Sequence, residues 1–110
     1  MNPAEFRALA LSLPEAIEGA HMGHPDFRVG GKIFATLGVP DDDHAVVMLP
    51  PDEQSEYVHA APTVFAPVHG AWGKGGATTV RLAAVTTSTM EAALVTAWRK
   101  RAPRRLTEFS

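Results

Sequence analysis

The stretch at residues 27–37, FRVGGKIFATL, decides the fold. Two short apolar runs flank Gly30 and Gly31. A two-residue hairpin turn needs positive backbone angles, which glycine reaches without steric cost. The pattern therefore predicts antiparallel strands over 26–29 and 32–37. In that register Lys32 opposes Val29 and Arg28 opposes Ile33, so the two cations beside the tip point to opposite faces of the ribbon. Phe27 is expected to face Phe34, with both rings in a core. The cations either sit in water, where they discourage edge-to-edge pairing, or they touch something negatively charged.

Working outward from the hairpin, the N-terminal NPAE offers Asn2 as a cap, Pro3 at the first helical position and Glu5 as capping-box partner. Phe6, Leu9, Ala10 and Leu13 recur at helical spacing, which predicts a helix over 3–13 ended by Pro14. Residues 15–22, EAIEGAHM, read as a short strand or an extended lead-in. Beyond the hairpin, GVPDDD is a turn by composition, and HAVVMLP is a buried strand over 44–49 closed by Pro50. A short second helix follows, with Pro51 in its first turn and Asp52 and Glu53 complementing its positive end. Residues 62–76, PTVFAPVHGAWGKGG, predict a short strand near 64–66 and a long loop. ATTVRLAAV is a strand over 77–84. The last helix takes Ser88 as cap and Glu91 as its capping-box partner. Met90, Leu94, Ala97 and Trp98 share one face with Ala93 beside them, and Pro103 stops the helix. Strands joined by short turns between two terminal helices give an α+β fold in two layers, the helices covering one face of an antiparallel sheet. One domain spanning residues 1–110 is expected.

The bulk numbers narrow the function. A chain of 110 residues can bury one core without staples. There are no cysteines, which removes disulfides, thiolate metal sites and cysteine nucleophiles. No basic-then-apolar leader and no run approaching a membrane span is visible, so a cytoplasmic protein, most simply a monomer, is expected. The net charge is −2, but the charges are segregated. No Lys or Arg occurs from Ile33 to Gly73, where Asp41, Asp42, Asp43, Asp52, Glu53 and Glu56 fall. Arg99, Lys100, Arg101, Arg104 and Arg105 are half of the ten basic side chains. Clustered cations are the footprint of a polyanion partner, although a helix C-terminus also favours them.

Enzyme chemistry finds no support. His21 and His24 are separated by Met22 and Gly23 and followed by Pro25, which argues against a helix aligning them as ligands. Asp41–Asp43 read as solvated turn acids, far short of the oxygen ligands of a calcium site. Ser12, Ser55, Ser88 and Ser110 sit in no nucleophile elbow. GKGG at 73–76 lacks the spacing of a phosphate-binding loop. No catalytic residue, metal or cofactor is expected.

Taken in order, GHPDFRVGGKIFATL, a strand, PP-E, WGKGGATTVRL and AWRKRAPRRL resemble the MmcQ/YjbR family over about residues 11–106. F-x-V-G-G-K-I-F-A and AWxxxAPxRL carry that resemblance. It implies a fold similar to the CyaY-like one, with helices on one side of a twisted antiparallel sheet. It also implies a proposed DNA-binding role through two protruding hairpins, a double wing. Met22 and Ala77 stand where many relatives carry aromatic residues.

On that resemblance the first wing is the hairpin bearing Arg28 and Lys32. The second is HGAWGKGG, residues 69–76, whose flexible glycines would bring Lys74 to a backbone and Trp72 onto a base. Arg99, Lys100, Arg101, Arg104 and Arg105 would add phosphate contacts, which supply affinity but read no sequence. The expectation is a non-catalytic protein that binds DNA weakly and without strong sequence preference. The alternative is a protein-interaction or small-ligand module working through the open sheet face, lined by His44, Thr78 and Arg81.

Overall fold

The computed structural model describes residues 1–108. The chain runs α1 (Pro3–Leu11), β1 (Ile17–His21), β2 (His24–Val29), β3 (Lys32–Leu37), β4 (His44–Met48), α2 (Pro51–Ala60), β5 (Phe65–Pro67), α3 (Ala71–Lys74), β6 (Ala77–Arg81), α4 (Thr87–Arg101) and α5 (Arg104–Thr107). Every strand pairs antiparallel, in the order β1-β2-β3-β4-β6-β5. The expected α+β architecture is present. No helix among the described residues is long and apolar enough to cross a membrane.

The hairpin forms as its glycines dictate. Gly30 and Gly31 have φ of 59° and 78°, and Val29 pairs with Lys32 and Arg28 with Ile33. One rung further the register slips. Phe27 pairs with Ala35 rather than Phe34, because a bulge inserts Phe34 as an extra residue. Phe27 and Phe34 are nevertheless both fully buried. The ambiguous 15–22 segment yields the edge strand β1, joined to β2 by a second tight turn at Met22 and Gly23, both with positive φ.

Alternation along the strands separates two faces. Phe27, Val29, Ala35, Ala45, Val47 and Val80 face the helices and join Phe6 and Ala10 of α1 and Met90, Ala93, Leu94, Ala97 and Trp98 of α4 in one core. Phe6 meets Phe27 edge to face at 5.9 Å. Trp98 Nε1 donates to the Pro14 carbonyl at 3.0 Å, fastening α4 to the loop after α1. The Asn2–Glu5 capping box forms as expected. The α4 cap is two residues earlier than Ser88: Thr86 Oγ1 accepts from the Thr89 N–H at 3.2 Å, so Glu91 is no box partner. In a run of consecutive hydroxyl residues the cap falls where the chain leaves its extended path, and here that is Thr86. Strand β6 ends at Arg81 rather than residue 84.

The opposite face of the sheet carries an ionic cluster. Asp26 is fully buried and takes Arg28 bidentately, Nε donating to Oδ1 at 2.7 Å and Nη2 to Oδ2 at 2.9 Å. His21 Nδ1 lies 2.7 Å from Oδ2. The hydrogen bonds from Arg28 are the largest cause holding the Asp26 carboxyl below its ordinary range, against the opposing pull of burial. Gly19 opposes Asp26 on β1, and a Cβ there would sit 2.9 Å from Oδ1. Removing one member of such a pair leaves the other charge uncompensated.

Asp26→Asn is expected to destabilise the protein by about 2 kcal/mol near neutral pH. Because the folded-state pKa is depressed, this stabilisation is present above about pH 4, the unfolded carboxylate range, and fades as pH falls toward the folded value. Urea denaturation of both proteins from pH 7 down to pH 2.5 checks this. The gap between them should narrow only below about pH 4.

Candidate nucleic-acid interface

Residues 69–76 do not form a wing. They close into the short helix α3, and two of their glycines, Gly73 and Gly76, are placed for close approach rather than freedom. A Cβ at Gly73 would lie 1.5 Å from the Val68 carbonyl oxygen, and one at Gly76 only 1.7 Å from that of Leu49. The carbonyls crowded here need donors. Leu49 takes one from Lys100, and the neighbouring Gly73 and Ala77 carbonyls, which accept the Gly76 and Val68 N–H groups, take a second from buried Gln54 of α2. Its Nε2 is 3.0 Å from the Gly73 oxygen, 3.1 Å from that of Ala77 and 3.1 Å from Thr78 Oγ1, three acceptors sharing two N–H groups. Lys100 Nζ donates to the carbonyls of Leu49 at 3.1 Å and Gly75 at 3.0 Å. Burial, with Arg101 adding a smaller effect, lowers the Lys100 pKa. The turn is pinned from both sides.

That pinning presents Trp72, 42% exposed, at one end of the sheet. There it lines a cleft of about 400 Å³ with Lys32, Arg101, Ile33 and Met48. Arg101 comes from the last turn of α4 and Lys32 from the hairpin tip. The tip leans on the chain just past α4, since a Cβ at Gly30 would come within 3.0 Å of Pro103 Cδ. Ile33 and Met48 lie on the sheet face away from the main core. The cleft thus has an apolar floor, an aromatic wall and two cations. Among the described residues neither Lys32 nor Arg101 has an acidic partner, and Arg101 Nε is buried without a hydrogen bond.

The other sequence candidates are dispersed or engaged. Arg28 borders the cleft, but its guanidinium is bound to Asp26, which raises its pKa. Lys100 serves the carbonyls described above. Arg105 holds Glu15 through two hydrogen bonds of 2.7 Å, which lower the Glu15 carboxyl and raise the guanidinium. Arg104 lies 3.8 Å from Glu108 in a loose exposed pair. Arg99 shares a shallow groove with Glu53, and Lys74 lines a different one beside His69. The structure therefore unites Lys32, Trp72 and Arg101 and no others with free charge. Sequence reading missed the floor residues Ile33 and Met48, whose shared face depends on register. It also missed the Asp26–Arg28 pair, which was readable, since residues two apart in a strand share a face.

The sheet face away from the main core is not left open, since Asp26, Thr36, Val46 and Met48 on it are buried and Val39 and Val68 pack against it. Of the residues expected to line it, His44 and Arg81 lie on it, paired across β4 and β6. Thr78 does not join them. It pairs with Val47, points to the helix side, and its hydroxyl donates to the Gly76 carbonyl at 2.9 Å. His44, Thr79, Arg81 and the 62–66 segment line a second cleft of about 330 Å³. His44 Nδ1 is 2.6 Å from Asp41 Oδ1, a contact that is the largest cause lowering the Asp41 carboxyl. No group of three or more His, Cys, Asp or Glu able to hold a metal ion occurs among the described residues.

A model of the YjbR family matches residues 11–100. The crystal structure of the Deinococcus radiodurans protein DR2400, with family-model domain DUF419, superposes with a TM-score of 0.77 at 18% identity. The match covers 98% of this chain and 86% of that one, and at this identity it shows a shared fold. No protein of curated function matches.

Gln54→Ala removes one of two donors from each of the Gly73 and Ala77 carbonyls, which keep the Gly76 and Val68 N–H groups, and is expected to cost about 1 kcal/mol. It should also loosen α3. Acrylamide quenching should rise for Trp72 while Trp98, 5% exposed, stays protected.

Proposed function

The chain belongs to the YjbR family, and from that premise we propose that it binds nucleic acid through the cleft between the β2–β3 tip, Trp72 and the end of α4, without performing chemistry on it. The observation that carries this reading is the convergence of Lys32 and Arg101, both free of acidic partners among the described residues, beside an exposed indole. A phosphate backbone needs cations that are not already neutralised, and Arg is suited to it by its planar fork of donors. The acids of the 41–43 loop lie beyond the far end of β3, so they do not border this cleft. The reading requires one wing and a neighbouring turn rather than two wings, with contacts to the backbone and therefore weak sequence preference.

A second reading rests on the other cleft. Arg81 is exposed and without a partner among the described residues, and His44 is fixed by Asp41 beside it. This pairing suits a small carboxylate or other anion. Under that reading a panel of small polycarboxylates should raise Tm, and Arg81→Ala should abolish the rise.

For the principal reading, the double variant Lys32→Ala/Arg101→Ala should weaken binding to labelled DNA. It should also reduce the log–log salt slope by about two, one per lost phosphate contact. The double variant Lys74→Ala/Arg99→Ala should leave the slope unchanged. Fluorescence anisotropy between 25 and 200 mM NaCl reads both, and unaltered affinity in the first double variant would overturn the site.

A further inference from the structure

Resting on the nucleic-acid reading, we infer that the cleft takes an unpaired nucleotide of a single strand, with its base against Trp72 and the apolar floor and its phosphates at Lys32 and Arg101. The floor is the distinguishing feature. Phosphates alone call for cations and water, and Ile33 and Met48 offer them nothing. A flat apolar face does gain from that floor, and base faces are such surfaces. In a duplex those faces are stacked on one another, and the grooves expose only their edges and the backbone. An indole beside an apolar floor can reach a base face only where the base is unpaired.

The dimensions agree. A volume of about 400 Å³ falls at the small end of the roughly 300–1,000 Å³ typical of ligand clefts, room for one base with its sugar. Among the described residues Trp72 is the one aromatic side chain lining the cleft, so one base is held, not a stacked run. The cations stand on separate walls, one at the hairpin tip and one at the end of α4, so a strand crossing the cleft can place phosphates on both sides of the held base. Arg101 lines the cleft and has no acidic partner among the described residues, so its guanidinium charge is not already neutralised when a phosphate enters. The indole is already in position, since Gln54 and Lys100 fix the turn that bears it, so little ordering accompanies binding.

The test compares a labelled 12-nucleotide single strand with its duplex by anisotropy at 50 mM NaCl, in the wild type, Trp72→Ala and Trp72→Phe, with intrinsic tryptophan emission recorded in parallel. The single strand should bind about tenfold or more tightly than the duplex and should quench Trp72. Trp72→Ala should lose roughly tenfold for the single strand and little for the duplex, while Trp72→Phe, which keeps a stacking face, should retain most of the affinity. Equal binding of strand and duplex, or an unchanged single-strand affinity in Trp72→Ala, would overturn the inference while leaving nucleic-acid binding standing. Binding of neither form would overturn both. Thymidine monophosphate quenching Trp72 with the affinity of the 12-mer would assign the cleft to a free nucleotide and overturn the strand.

Discussion

Backbone carbonyls pressed against Gly73 and Gly76 where α2, α3 and β6 meet set the terms for this end of the molecule. The chain must turn sharply between β5 and β6, and it does so by bringing backbone within contact distance of backbone at Gly73 and Gly76. Close approach buries acceptors, and buried acceptors without donors are costly. Gln54 and Lys100 answer that requirement from two different helices. Their presence explains two otherwise odd choices: a short helix α2 whose buried residue is a glutamine, and an exposed lysine near the end of α4 whose ammonium reaches back to two carbonyls. The placement of the Trp72 backbone follows from the turn these bonds fix.

The same geometry reconciles an acidic chain with the polyanion partner proposed for it. Net charge describes the whole molecule, whereas binding responds to the local field. Among the described residues three cations are paired with acids of the chain at under 3 Å: Arg7 with Glu18, Arg28 with Asp26 and Arg105 with Glu15. The acids of the 41–43 loop follow β3 at the end away from the hairpin tip, because a strand carries its two flanking loops to opposite ends. What remains at the cleft is a small positive region that the composition conceals.

Much of the fold was legible in the sequence because its signals were local. The glycine pair at 30–31, the Asn2–Glu5 box, the apolar stripe of α4 and the antiparallel α+β class all read correctly. The failures also have local causes. A bulge adds one residue without a compositional marker, so Phe34 was misplaced by one rung. Met22 turns the chain in a left-handed conformation that glycine or asparagine usually signals. The glycines at 73 and 76 were taken for flexibility, when only contacts from residues 68 and 49 reveal that they answer crowding. Of the site, each residue of the cleft trio was readable as a candidate, but not their meeting. That depends on β4 lying beside β3 and on α4 ending at the hairpin tip. The engagement of Arg105 by Glu15, ninety positions away, was likewise beyond any local pattern.

The contact between Gly30 and Pro103 gives the cleft an unusual mechanical property. Its two cationic walls are held apart by a glycine backbone against a proline ring, and its aromatic wall by hydrogen bonds to partly buried carbonyls. None of these spacers is an exposed ion pair, the kind of contact that salt screens most strongly. The aperture should therefore keep its width from dilute buffer to physiological ionic strength. Any salt dependence of association then reports on counterions released from the ligand, and not on a protein whose binding surface has changed shape.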